Sequence, residues 1–143
     1  MPDFSYLKDR MSTEGDDILV RGGTATYFGD SADTQDNGVG AWGWQTRKHP
    51  GYLGVALPVR YGKLFTQSPL PRLPQFSPVR VFSPKTGVVQ YAHLIDLGPH
   101  PDTGRVLDMT IGLVRALGLD PKAGVWDIDY RVIGGAKYLP KGK

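Results

Sequence analysis

The chain has no cysteine. A disulfide framework and thiolate-ligated metal are therefore excluded, and the redox compartment cannot be read from thiol usage. It also lacks any run of 18 apolar residues, so no segment reads as a membrane-crossing helix. The opening stretch, MPDFSYLKDRMSTEGDD, is polar and has no signal-peptide core. Whether a leader is absent by design or removed stays open at this point. Lys and Arg are scattered rather than clustered, and the net charge is only +3, which argues against a nucleic-acid partner. That mild basicity is compatible with an anionic polymer such as a cell wall. Gly and Pro are abundant, 19 and 12, but follow no repeat, so they mark turns between short strands rather than disorder.

What is present is one domain's worth of chain: 143 residues with 40% hydrophobic content, enough for a single core. Residues 1–17 read as an N-terminal arm with a short helical turn, 18–134 as the folded domain and 135–143 as a polar tail. Ile18–Arg21 and Gly23–Phe28 have strand character, with Thr24, Thr26 and Tyr27 suited to a pleated surface. Residues 29–51 read as a Gly- and Asp-rich loop carrying Trp42 and Trp44. Val55–Val59, Val79–Phe82, Val88–Ile95 and Val125–Ile133 read as further strands, with a hairpin turn at Pro84–Gly87. Four prolines in residues 68–78 predict an exposed connection, since proline lacks the ladder donor. Ile111, Val114 and Leu117 recur at helical spacing and Gly118 is a plausible stop. Some six short strands with one helix suggest a small barrel.

The densest information lies in YAHLIDLGPHPDTGRVLDMTIGLVRALGL, residues 91–119. One apolar run ends in Asp96, a Gly-Pro turn follows, and a second apolar run ends in Asp108. Two carboxylates twelve residues apart are thus expected at the ends of two buried strands. An unpaired charge there is costly, so each asks for a functional or capping role. Asp108 reads either as a catalytic acid or as the N-cap of the following helix. Asp96 reads either as its partner or as a turn former. His93 alternates with Tyr91 and reads as structural. His100 with Asp102 makes only a thin metal motif, so no metal or other cofactor is expected. Trp42 and Trp44 are either a sugar-stacking platform or loop anchors, and Trp126 reads as core.

GTATYFG at 23–29, GVALPV at 54–59, VRVFSPKTGVVQYAHLIDLGP at 79–99, and RVLDMTIGLVRALGL with GVWDIDYRVI at 105–133 occur in a telling order. Over residues 20–134 the chain resembles the double-psi β-barrel family of RlpA-like, expansin-like and MltA-type (3D domain) proteins. The resemblance implies a mainly β fold, a six-stranded double-psi β-barrel with one or two short helices. It implies that Asp108 is the catalytic acid and Asp96 its nearby partner. It further implies that Thr26 and Tyr27 line the same groove, and that His100 stands where some relatives carry a functional histidine. The loop Pro101–Gly104 is longer here than in many relatives.

Relatives include lytic transglycosylases, endoglucanase-like hydrolases and non-catalytic wall-loosening modules, so fold alone does not choose an activity. The expected substrate is peptidoglycan or a related polysaccharide, cleaved with an Asp general acid/base. The alternative is a polysaccharide-binding, wall-loosening or structural barrel without turnover. Either reading places the protein outside the cytoplasm, in a periplasm, cell wall or phage virion, as a monomer. Proton delivery to a glycosidic oxygen needs a carboxyl whose pKa is raised by burial or by a neighbouring carboxylate.

Overall fold

The computed structural model describes residues 3–28, 42, 48, 49 and 51–140. Among them are seven strands and two short helices. In chain order these are α1 (Ser5–Lys8), β1 (Met11–Glu14), β2 (Asp17–Phe28), β3 (Gly54–Leu57), β4 (Pro78–Phe82), β5 (Val89–Leu97), β6 (Leu107–Thr110), α2 (Ile111–Ala116) and β7 (Trp126–Val132). Strand neighbours run β1-β2-β6-β3-β5-β4-β7, and β7 returns to pair with β2. The sheet therefore closes into a six-stranded barrel, with β1 outside on the edge of β2. No helix among the described residues is long and apolar enough to cross a membrane.

The barrel is mixed. β2–β6 and β3–β5 are parallel, and the remaining barrel pairs are antiparallel. Exchanging β2, β3 and β4 for β5, β6 and β7 maps this pairing scheme onto itself. Within each half the first two strands never touch, because strands of the other half lie between them. That interleaving is the double-psi arrangement.

Local sequence explains the closure. β2 is twelve residues long and pairs with β1, β6 and β7, so it must bend. Its register with β7 shifts between Val20 and Gly23, at a bulge where Gly22 adopts φ +77°. Any side chain at Gly23 would overlap that of Val106. Alternating apolar residues point inward from every barrel strand: Ile18, Val20, Val55, Leu57, Val79, Val81, Leu94, Leu107, Met109 and Ile128 are all fully buried. Trp126 is also core, at 5% exposure.

Four expectations are corrected by these elements. The strand ends move: Asp96 lies inside β5 and Asp108 is the second residue of β6, rather than both terminating strands. The helix begins at Ile111, and its N-cap is Thr110, whose hydroxyl accepts from Leu113 N at 3.3 Å. Asp108 is therefore not the cap. Segment 68–78 is a connection, with Pro78 opening β4, yet it is not simply exposed. Its Leu70 and Leu73 are buried among the core residues, and Ser68 is buried with its hydroxyl donating to Pro58 O at 2.6 Å. Prolines forbid a ladder but not apolar burial. The arm is likewise tied down: Phe4 and Leu7 join the core, while β1 pairs with β2 from Met11↔Val20 to Glu14↔Asp17.

One ion-pair cluster fastens β1, β2 and β7. Arg131 Nη1 meets Asp17 Oδ2 at 2.9 Å, and its Nη2 meets Glu14 Oε1 at 3.1 Å. The other Asp17 oxygen accepts from Gly134 N at 2.7 Å. That backbone bond, then Arg131, holds the Asp17 carboxyl below its usual range.

Candidate functional site

The strand register builds a polar row across four strands on the outer face of the barrel. Thr26 of β2 stands opposite Asp108 of β6, Asp108 opposite Ala56 of β3, and Ala56 opposite Asp96 of β5. Asp96 reaches this place because the β3–β5 register skips Ile95 between Val55 and Ala56. Without that irregularity Ile95 would hold the position. The two carboxylate residues are thus separated by two strand spacings, about 10 Å at the backbone.

Asp108 is the most constrained group in the row. Its side chain is 13% exposed. The Thr26 hydroxyl donates to its Oδ1 at 2.7 Å. Arg105 Nη1 donates to the Thr26 hydroxyl and lies 3.5 Å from the same Asp108 oxygen. Thr26 therefore accepts from Arg105 and donates to Asp108, which fixes the orientation of its hydroxyl. Both contacts converge on Oδ1, so a proton carried by this carboxyl belongs on Oδ2. Burial raises the pKa of Asp108, and it outweighs the Thr26 hydrogen bond and the Arg105 charge, which pull the other way. Helix α2 adds no opposing dipole of weight, since it is six residues long and begins three positions later.

At Asp96, Oδ1 accepts from the following Leu97 N at 2.8 Å. The end of β3 is pinned beside the row by Thr110. Its buried hydroxyl donates to Tyr52 O at 2.6 Å and accepts from Gly54 N at 3.1 Å. A Cβ at Gly112 would come within 2.8 Å of the backbone of Gly51 and Tyr52, so the start of α2 sits directly on that segment. Tyr52 OH in turn meets His93 Nδ1 at 3.2 Å, which gives the strand histidine a structural partner.

Other expected site residues fall elsewhere. Tyr27, one residue along from Thr26, alternates to the opposite face and packs its ring on Trp126, centroids 6.3 Å apart. His100 caps the short 3-10 turn Pro101–Thr103: its Nδ1 accepts from Asp102 N at 3.2 Å. The Asp102 carboxylate is 3.5 Å away and the Phe65 ring stands edge-on at 6.2 Å. Among the described residues no group of three His, Asp or Glu side chains is gathered to hold a metal. Trp42 is half-buried and meets Tyr61 edge-on at 5.7 Å, with the Arg72 guanidinium 4.6 Å over that Tyr61 ring. These are the contacts of a loop anchor. Trp44 lies outside the described residues.

Arg105 and Thr110 were not singled out by sequence reasoning. Arg105 carries a usable signal, a cation three residues before the key Asp in RVLD. For Thr110, the Thr-x-x-Leu step into the helix is the ordinary capping pattern.

No protein-family model matches the chain, and no curated protein matches it. Among solved structures it is similar to the Streptomyces papain inhibitor, with a TM-score of 0.50 and 22% identity. The match covers 80% of this chain and 94% of that one. A likeness at this identity is one of fold, and it agrees with the closed six-stranded barrel traced by the strand pairing.

Proposed function

We propose that the protein cleaves the glycan strands of peptidoglycan by a lytic transglycosylase-like mechanism, with Asp108 as the general acid and base. The observation that carries this reading is the Asp108 carboxyl: buried on the outer face of the barrel, raised in pKa, and held at Oδ1 by Thr26 so that Oδ2 is left to carry the proton. In the forward step the Oδ2 proton passes to the glycosidic oxygen and the bond to the anomeric carbon breaks. The sugar's own hydroxyl then closes onto that carbon and returns its proton to the Asp108 carboxylate. One carboxyl suffices. The two-strand separation of Asp96 speaks only against a covalent double-displacement pair, whose carboxyls stand about 5 Å apart. Asp96 would line the substrate groove as a partner. The reading places the protein at a cell wall, periplasm or virion, acting as a monomer on peptidoglycan or a related polysaccharide, without a cofactor.

A second reading is favoured by one contact. The 3.5 Å approach of Arg105 to Asp108 stabilises the charged carboxylate. A barrel that grips polysaccharide without turnover, or that loosens a wall, would want that. Purified sacculi incubated with the protein separate the two. Release of muropeptides bearing the internally closed sugar, seen by mass spectrometry, supports cleavage. Co-sedimentation with sacculi and no release supports the binding barrel.

A further inference from the structure

A hollow of about 340 Å³ lies away from the Asp108 row, between β2, β4 and β7. Leu19 and Phe82 give it apolar walls, and Arg21, Arg80, Arg131 and Asp129 supply its charge. Its volume falls within the range of small-molecule sites. Register puts Arg80 directly opposite Arg131 on adjacent strands, a like-charge pair that ordinarily destabilises a sheet. The two arginines differ in their compensation. Arg131 is turned to Asp17 and Glu14 by the ion pairs that fasten β1. Asp129 uses Oδ1 to accept from Gly22 N at 2.6 Å. Among the described residues neither Arg80 nor Arg21 forms an ion pair. On its other side Arg80 faces Tyr91 of β5, which is 61% exposed and extends the row with a phenol.

We propose that this hollow binds a small oxyanion, a carboxylate- or phosphate-bearing molecule with an apolar body. The Arg80 guanidinium would be its principal anchor and Arg21 its second cation. An oxyanion between Arg80 and Arg131 relieves the cross-strand repulsion and gives Arg80 the charge-assisted bonds that the protein does not provide. Leu19 and Phe82 take up the apolar part of the ligand. The site is independent of glycan cleavage, since no residue of the Thr26–Asp96 row lines it.

The test uses the full chain at constant ionic strength set by sodium chloride. Inorganic phosphate and succinate are titrated separately, with the side-chain Nε–H signals of the arginines followed by NMR. The expected result is a saturable shift at Arg80 and Arg21 with at least one of the two anions, and the responding anion identifies the headgroup. In Arg80→Met the midpoint should weaken about tenfold, the loss of one charge-assisted contact. In chloride alone the same variant should melt no lower than the parent, because a like-charge pair has been removed. Linear, non-saturating shifts with both anions would overturn the proposal. Equal midpoints in parent and Arg80→Met would do so too, and Arg80→Gln serves as the check if the Met variant folds poorly.

Discussion

At Asp108 two environments compete, and the competition makes opposite demands on stability and chemistry. Burial raises the carboxyl pKa above its ordinary value of 3.8, so the folded state binds a proton that the unfolded chain releases. For a raised pKa, that stabilisation is fully present below 3.8 and is lost as pH rises through the raised value. Asn copies the protonated form and keeps the acceptor for Thr26. Asp108→Asn should therefore release no muropeptides, yet melt above the parent at pH 7, with the gap closing as the pH falls below 3.8. Wild-type turnover, or a melting gap that ignores pH, would refute the assignment. Arg105→Met removes the cation that restrains the shift. The pH limb of sacculus cleavage governed by Asp108 should then move upward, and a downward or absent move would show that Arg105 does not act on this carboxyl. That Asp108 and Thr26 share one site was suggested in the sequence only by the family resemblance, and the strand register puts them side by side. The burial that raises the pKa was not legible there, since it depends on neighbours 82 residues away, such as Thr26.

Among elements, the junction of β6 with α2 shows what periodicity misses. Helical spacing located α2, but reading Asp108 as its cap set the start on the wrong side of Thr110, since Met109 and Thr110 still belong to the β6 ladder. Thr110 is buried and makes three hydrogen bonds, to Tyr52 O, Gly54 N and Leu113 N. Thr110→Val keeps the shape and strands those groups. A loss of about 1 to 3 kcal/mol is expected from the urea midpoint at unchanged slope. The 68–78 connection teaches a related lesson: proline content spoke correctly against a strand but was silent on Leu70 and Leu73, whose burial comes from the barrel surface they cover. The same logic governs Trp42. With its edge on Tyr61, Trp42→Ala should lower stability by about 2 kcal/mol while sacculus affinity per folded molecule stays the same. Lost affinity at an unchanged melting temperature would instead restore the stacking platform.

For the whole molecule, closure decides everything else. Local sequence was readable as strand at β2, β3, β4, β5 and β7, and as a short apolar run at β6. Their order was not, because each half of the pseudo-twofold barrel interleaves strands of the other, and no short-range pattern encodes that pairing. The ordered motif set conveyed the barrel where periodicity alone gave only a list of elements. The N-terminal arm illustrates the remaining gap. Its composition is polar, yet Phe4 is 6% exposed and Leu7 fully buried, and β1 continues the sheet on the free edge of β2. Glu14, at the end of β1, also holds one side of Arg131. Removing residues 1–10 should therefore behave as the loss of two core side chains, not as the trimming of a loose end. The expected penalty is about 4 kcal/mol, roughly 2 for each side chain returned to water. It is read from urea unfolding of the truncated chain beside Leu7→Ala, which should account for about half of it. A truncated chain as stable as the parent would mean that these contacts contribute nothing to closure, and that the barrel from β2 onward carries the fold alone.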